Sequence, residues 1–310
     1  MDHDDVDTSH PWLVIPYFNG DEGRASQRPL TKIMPPVTSW LCPSIHVQGV
    51  DYSTPPGTYL PDEALQISVD VDNRGVPNAL VTVRVYWSDP ATGFASPQLI
   101  LSATRPVPGR AVTGPTHFPP MIWTPEQASI PAHFCLLVHA SSTPPEPDPG
   151  PSAPSPMSDR HWAQYNLQSA MLSAAGQQAF VFWAGNPALE QGAYLVEARP
   201  LGEEALRKLA RVVRADPVLA RPRQLTLHRA IAPAANGREA REASVVLELE
   251  RGQRQALVLS AQDLHLAPQQ FTAVEVLQTR IGQEREGEPT GSLGVVLYGH
   301  AETACRKRRR

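Results

Sequence analysis

Residues 65–87 read LQISVDVDNRGVPNALVTVRVYW, in which apolar and polar side chains alternate twice around a break at Asn73-Arg74-Gly75. Successive side chains of a β-strand point to opposite faces, so each half predicts a strand with one buried and one solvent-facing side. Asn and Gly tolerate the positive φ angles of turns, which marks the break as a connection. The close spacing predicts that the two strands pair with each other in antiparallel fashion.

The composition of the whole chain fits a protein made of many short strands. The 310 residues include 41% hydrophobic residues, enough for packed cores, and 33 prolines, which argue against a helical protein. This length suggests about two domains. The net charge of −4 predicts no general affinity for nucleic acid.

Strand-like segments fall into two series, which predict an all-β fold of two immunoglobulin-like β-sandwich domains in tandem. The polar segment 1–36 is expected to precede them as an extended N-terminal arm. The second series gives a sandwich over 175–303, and a basic tail follows at 304–310. Between the two series lies a proline-rich segment, 141–157, whose composition favours a stiff, extended conformation.

One short helix is predicted in the second domain, over 203–214. Leu206 and Leu209 belong to an apolar stripe at helical spacing, and Glu203 and Glu204 in the first turn complement the helix dipole. Such a stripe fits either a helix that binds a partner or a helix packed across the open end of its own sandwich. The packed arrangement is the expectation, because one apolar stripe is what that packing requires.

Five segments in the first series resemble, in order, a bacterial immunoglobulin-like module of the CARDB type (cell-adhesion-related domain found in bacteria). They read SWLCPSIHV, LQISVDVDNRG, VTVRVYWSDPATGF, IWTPEQASIPAHFCLLVHASS and DRHWAQYNL, within about residues 37–170. Cys42 and Ser44 depart from the family pattern, which has Ser and Asp there. The resemblance implies a sandwich used for adhesion or assembly, with no catalytic residue. It also implies that 141–157 is a loop inside a first domain of residues 37–174.

Three groups of residues could hold a metal ion. One lies in the polar N-terminal segment, where a solvated acidic tail is the default, and consists of Asp2, His3, Asp4, Asp5, Asp7 and His10. His133, Cys135 and His139 share one parity of a predicted strand, so two imidazoles and a thiol would lie on one face. The alternative is an ordinary exposed strand face, or a buried cysteine that packs as a small apolar residue. Asp70 and Asp72 could likewise form a cation-binding pair, but carboxylates on a solvated strand face are the default. No metal or cofactor is therefore predicted.

The two chain ends are the predicted partner contacts. PWLVIPYF at 11–18 is an apolar cluster in a polar segment, and exposed clusters of this kind mark contacts. The acidic residues of 2–7 and the basic residues of 306–310 have opposite charge, which can steer association. The alternative is that the cluster folds back on its own first sandwich. The predicted contact residues are Trp12, Val14, Ile15, Phe18, Arg308, Arg309 and Arg310.

The predicted function is a non-enzymatic structural or protein-interaction protein, because no catalytic motif, phosphate-binding loop or dinucleotide fingerprint occurs. Expected partners are other proteins, with self-association through the N-terminal arm as one option. An enzyme with an unrecognised site is the more distant alternative. The nearer alternative is an accessory carbohydrate-binding protein that uses exposed aromatic side chains; its candidates are Trp40, Trp87, Trp123, Trp162 and Trp183.

The sequence shows neither a Sec-type signal nor a run of about 20 apolar residues. A protein that is cytoplasmic, or exported by a signal-independent route, is the expectation. The three cysteines are widely spaced and odd in number, which predicts no disulfide framework and reduced thiols at Cys42 and Cys135.

Overall fold

The all-β prediction is confirmed: the strands form four sheets, paired into two immunoglobulin-like β-sandwiches in tandem. One α-helix occurs within the described part of the chain. The structure is a computed structural model that describes residues 8–34, 37–50, 58–59, 62–110, 114–126, 129–130, 133–150, 153–169, 178–213, 215–220, 224–230, 243–262, 264, 266–267, 269–282 and 287–299.

The described residues of the first sandwich form ten strands in two sheets. In one sheet β4 is the centre, paired with β1, β2, β7 and β8; the other has the order β3-β10-β9-β5-β6. The strands are β1 (Leu13–Val14), β2 (Ile45–Gly49), β3 (Thr58–Tyr59), β4 (Leu65–Asn73), β5 (Ala79–Ser88), β6 (Gln98–Val107), β7 (Thr116–His117), β8 (Met121–Trp123), β9 (His133–Thr143) and β10 (Trp162–Ser169).

The two alternating strands of 65–87 form as predicted, but the prediction that they pair with each other is wrong. β4 and β5 belong to different sheets, and their apolar faces meet in the core between the sheets. Alternation reports which face of a strand is buried, and it says nothing about the neighbour that takes the backbone hydrogen bonds. The buried residues of these two strands include Leu65, Ile67, Val69, Val71, Val81, Val83 and Val85.

The apolar cluster near the N-terminus is part of the first sandwich, which corrects the prediction that it is a partner contact. β1 pairs with the end of β4, and Val14 and Ile15 have no exposed surface. Trp12 donates its indole N–H to the Glu22 carbonyl oxygen at 2.8 Å, and Phe18 packs against the first core. Val14 and Ile15 are therefore unavailable to another molecule, whereas Trp12 and Phe18 are half-buried. Two short 3₁₀ helices follow, Ala25–Gln27 and Leu30–Lys32.

The proline-rich segment connects β9 to β10, which are hydrogen-bonded neighbours in one sheet. Its Glu146 accepts hydrogen bonds from the Leu13 backbone at 3.1 Å and from the Arg160 guanidinium at 2.8 Å. His161 lies within 3.1 Å of the same carboxylate. These buried charges are paired with one another, as buried charges must be, and they join the proline-rich segment to β1.

The described residues of the second sandwich form eight strands in two sheets. One has the order β11-β16-β14; in the other, β13-β17-β12-β15 is joined by β18, which pairs with β17. The helix α1 buries Leu206 and Leu209 against Phe271, Ala273 and Trp40, so its apolar stripe is covered within the chain. The elements are β11 (Gln178–Gly185), β12 (Gly192–Pro200), α1 (Glu203–Val213), β13 (Asp216–Pro217), β14 (Gln224–Arg229), β15 (Ser244–Leu249), β16 (Arg254–Gln262), β17 (Gln270–Ile281) and β18 (Glu288–Tyr298).

The two sandwiches pack against each other along β9, which contributes to both cores. β9 buries Phe134, Leu136 and Val138 in the first sandwich, whereas Cys135 and Leu137 of the same strand pack with the second core. Polar contacts accompany this burial: the Gln164 side chain donates to the Ser292 carbonyl oxygen at 3.0 Å, and the Thr92 hydroxyl donates to Gln278 at 2.8 Å. Packed side chains and hydrogen bonds therefore hold the two sandwiches together. This contact is called the interface between sandwiches below.

Glycines allow the close approach at this interface. A Cβ atom on Gly294 would lie 2.1 Å from the Trp40 ring, and one on Gly291 would lie 1.7 Å from the Thr92 carbonyl oxygen. Gly93 and Gly185 face each other so closely that a Cβ on either would lie within 2.2 Å of the other's carbonyl oxygen. Larger residues at these positions would push the sandwiches apart, because a packed interior has no free volume to absorb them.

Candidate functional site

Three side chains with metal-binding atoms meet on the outer face of the β4 sheet. His46 Nε2 lies 2.8 Å from one carboxylate oxygen of Asp70, and His117 Nδ1 lies 2.7 Å from the other. All three donor atoms lie within 4.8 Å of one another, and the two imidazole centroids are 5.5 Å apart. Of the described residues, only these form a converging group of three or more His, Cys, Asp or Glu side chains.

The position of this cluster follows from the sheet. The Asp70 N–H bonds to the Ser44 carbonyl oxygen, and the Val69 carbonyl oxygen accepts from the Phe118 N–H. Consecutive residues of a strand direct their backbone groups to opposite sides, so β4 lies between β2 and β7. Each of the three strands contributes one side chain to the outer face, while the adjacent residues Ile45, Val69 and Phe118 are buried in the core.

Hydrogen bonding within the cluster shifts the pKa values of Asp70 and His46. Burial pushes the pKa of Asp70 upward, but the hydrogen bonds from His46 and His117 outweigh it and leave this pKa below its usual value. The hydrogen bond to Asp70 in turn raises the pKa of His46. Asp70 is therefore an anion at neutral pH, directed between two ring nitrogens.

The predicted Asp70–Asp72 pair does not form. Asp72 is buried beside β1 and pairs with the Arg74 guanidinium at 2.7 Å. The partners of Asp70, His46 and His117, come from strands 24 and 47 residues away in sequence. The sequence around each histidine did indicate an outward-facing position. His46 and His117 each lie beside an apolar residue that is buried in the core, Ile45 and Phe118. Their convergence depended on strand order, which alternation does not encode.

The other predicted metal-binding face is the one that the second sandwich covers. His133 is buried against Phe180, with ring centroids 4.7 Å apart, and neither ring nitrogen has a hydrogen-bond partner among the described residues. His139 stacks on Trp162 at 4.4 Å. Burial lowers the pKa of His133 to about 3 and that of His139 to about 4, and it raises the pKa of Cys135 to about 12. The face is an interior packing surface, as the alternative of a buried cysteine anticipated.

The strand β6 forms an edge of the first sandwich. Among the described strands it pairs only with β5, over its whole length. Leu99 near its start is 57% exposed. Pro106 has no N–H, so it occupies a position whose backbone points away from β5. By strand parity the N–H groups of Thr104 and Ser102 point away from β5 as well, and no described strand pairs with β6 on that side.

The remaining predicted sites divide as follows. Arg308, Arg309 and Arg310 lie outside the described residues, as do the acidic residues of 2–7. None of the five tryptophans proposed for carbohydrate binding is exposed: Trp40 and Trp162 are buried between the sandwiches, and the other three, Trp87, Trp123 and Trp183, pack partly buried against the cores. No helix of the described chain has both the length and the apolar character needed to cross a membrane.

Comparison with known proteins found matches among solved structures. No protein-family model matches the chain, and no curated protein does either. Among solved structures, a CARDB domain from Pyrococcus furiosus, solved in complex with di-metal ions, is 13% identical, with a TM-score of 0.28 over 41% of this chain and 90% of that one. The collagen adhesin of S. aureus is 6% identical, with a TM-score of 0.24 over 83% of this chain and 93% of that one.

A third similar structure is the CupB6 tip adhesin of Pseudomonas aeruginosa, 8% identical, with a TM-score of 0.23 over 82% of this chain and 97% of that one. The immunoglobulin-like β-sandwich architecture is assigned here from the sheets and cores of this chain itself.

Proposed function

We propose that this chain is a non-enzymatic structural or protein-interaction protein whose first sandwich is a CARDB-type module. The single observation that supports this best is the edge of β6, which pairs with β5 alone among the described strands and carries the exposed side chain of Leu99. An open strand edge is a template for another extended chain, which adds to the sheet through main-chain hydrogen bonds. The occupant is therefore an extended segment of another protein.

The interface between sandwiches supports the same function. It fixes the second sandwich against the outer face of β9, so that face is unavailable and β6 remains at the free side of the sheet. A rigid body holds its binding edge in one orientation and loses little conformational freedom when a partner binds. Carbohydrate binding gains no support, because none of the five candidate tryptophans is exposed.

Blocking the edge tests the proposal. Ser102→Pro removes an outward N–H and adds a ring on the open side, while the hydrogen bonds to β5 stay in place. Ser102→Val keeps the N–H and is the matched control. Proteins captured by the purified full chain should bind wild type and Ser102→Val and be lost with Ser102→Pro, with unfolding midpoints unchanged. Partners that bind Ser102→Pro as well as wild type would contradict the β6 edge as the binding site.

A further inference from the structure

The outer face of the first sandwich carries a donor cluster that β6-edge binding does not use. His46 Nε2, the Asp70 carboxylate and His117 Nδ1 lie within 4.8 Å of one another. They are fixed by three neighbouring strands rather than by loops, and the core holds the backbone of each strand in place. Sites on such elements keep their geometry without a ligand, which reduces the cost of binding one.

The chemistry of these donors selects a class of ligand. Imidazole nitrogen and carboxylate oxygen suit zinc and the later first-row transition metals, whereas calcium and magnesium prefer sites made of oxygen atoms alone. We propose that His46, Asp70 and His117 form a binding site for a divalent transition-metal ion of the Zn²⁺ class. Three protein donors leave at least one coordination position open, as in sites that exchange a water or accept a donor from another molecule.

The two hydrogen bonds of the cluster already orient the imidazole nitrogens and the carboxylate toward one another. Each imidazole directs one nitrogen at a different oxygen of the same carboxylate, so an ion placed between them replaces two hydrogen bonds with three coordinate bonds. The side chains of His46 and His117 are 47% and 56% exposed, which leaves a path from solvent to the site. Arg105 donates to the His117 carbonyl oxygen and thereby holds the short strand β7 against the sandwich.

Calorimetric titration of the untagged full chain with ZnCl₂ tests the site. Wild type should bind one equivalent through these residues. Asp70→Asn, which preserves size and removes the charge, and His117→Gln should each weaken binding by on the order of 10–100-fold or more. His228→Gln is the matched control, since His228 is exposed on β14 of the second sandwich without a clustered partner among the described residues. Its affinity should equal that of wild type.

Two further readouts make the result decisive. Zn²⁺ should raise the unfolding midpoint of wild type and of His228→Gln but not of the two site variants, because only a ligand that binds the folded state stabilises it. Co²⁺ should give a visible absorption spectrum with wild type that both site variants lack. The absence of Zn²⁺ binding by wild type would overturn the proposal, as would equal binding by wild type and His117→Gln. His117 is exposed, so its variant reports on the site even if Asp70→Asn folds poorly.

Discussion

The two outer faces of the first sandwich differ in how far the rest of the chain covers them. The outer face of the β4 sheet bears Asp70 together with three exposed side chains, those of His46, His117 and Ile122. The outer face of the other sheet bears Cys135, Leu137 and Trp162, which the second sandwich buries. The same strand architecture therefore serves as a solvent-facing display surface on one side and as a domain interface on the other.

The sequences of the central strands already differ in a way that explains this. β4 alternates apolar and polar residues, whereas β9 begins His-Phe-Cys-Leu-Leu-Val and is buried on both faces. A strand covered on both sides reads as a continuous apolar run, because neither face needs polar residues for solvent. The continuous run in β9 thus indicates a second layer, whereas the alternation in β4 indicates a face that keeps polar side chains.

Truncating one side chain on each face should give the largest contrast. Leu137→Ala removes methyl groups from a fully buried position at the interface between sandwiches, so we expect a loss of about 2–5 kcal/mol in the free energy of unfolding. Ile122→Ala, at a site that is 61% exposed, should change it by less than about 0.5 kcal/mol. Urea unfolding of both variants measures the difference, and similar losses would mean that the two faces are equally covered.

Adding a methyl group at the interface should give the next effect. Gly294→Ala places a Cβ within 2.1 Å of the Trp40 ring, and overpacking of this kind costs about 1–3 kcal/mol. Gly202→Ala is the control, because no atom lies within 4 Å of a Cβ there. Thermal unfolding followed by calorimetry should show a lower midpoint for Gly294→Ala alone. An unchanged midpoint would show that Trp40 can move without loss of packing.

Replacing the buried imidazole at the interface should have the smallest effect, and it should be stabilising. His133→Leu removes two ring nitrogens that lack partners among the described residues, and relieving such a group is worth about 1–2 kcal/mol. The gain should appear in urea unfolding at pH 7. A destabilised variant would show that the stacking of His133 on Phe180 outweighs the unsatisfied nitrogens.

The pH dependence of that variant sharpens the same test. The folded pKa of His133 is about 3, below the unfolded value of about 6.5, so the unfolded state binds a proton first as the pH falls. Protonation of His133 in the unfolded state therefore has no effect on the free energy of unfolding above about pH 6.5. Between about pH 6.5 and 3 it lowers that free energy by about 1.4 kcal/mol per pH unit. His133→Leu should reduce the slope of unfolding free energy against pH by one proton between pH 6 and 4. An unchanged slope would mean that His133 is protonated in the folded protein.

Much of the architecture was predictable from local pattern. The strands β4, β5 and β9 and the helix α1 follow from periodicity, because the burial of one face or stripe is written into residues two or 3.6 positions apart. The donor cluster was predictable only in part. Alternation placed Asp70 on the solvent-facing side of β4, but the prediction paired it with Asp72. The histidines were missed because they approach Asp70 through strand order across distant segments.

The sequence by itself determined that this chain is all-β, which residues of β4, β5 and β9 face the first core, and where the helix lies. Only the tertiary structure decided that β4 and β5 face each other instead of pairing, that Val14 and Ile15 fold into their own sandwich, and that the second sandwich covers β9. It also decided that His46, Asp70 and His117 meet. The physical reason is range: periodicity follows from the geometry of a few adjacent residues, whereas pairing and docking depend on which of several apolar surfaces bury one another most completely.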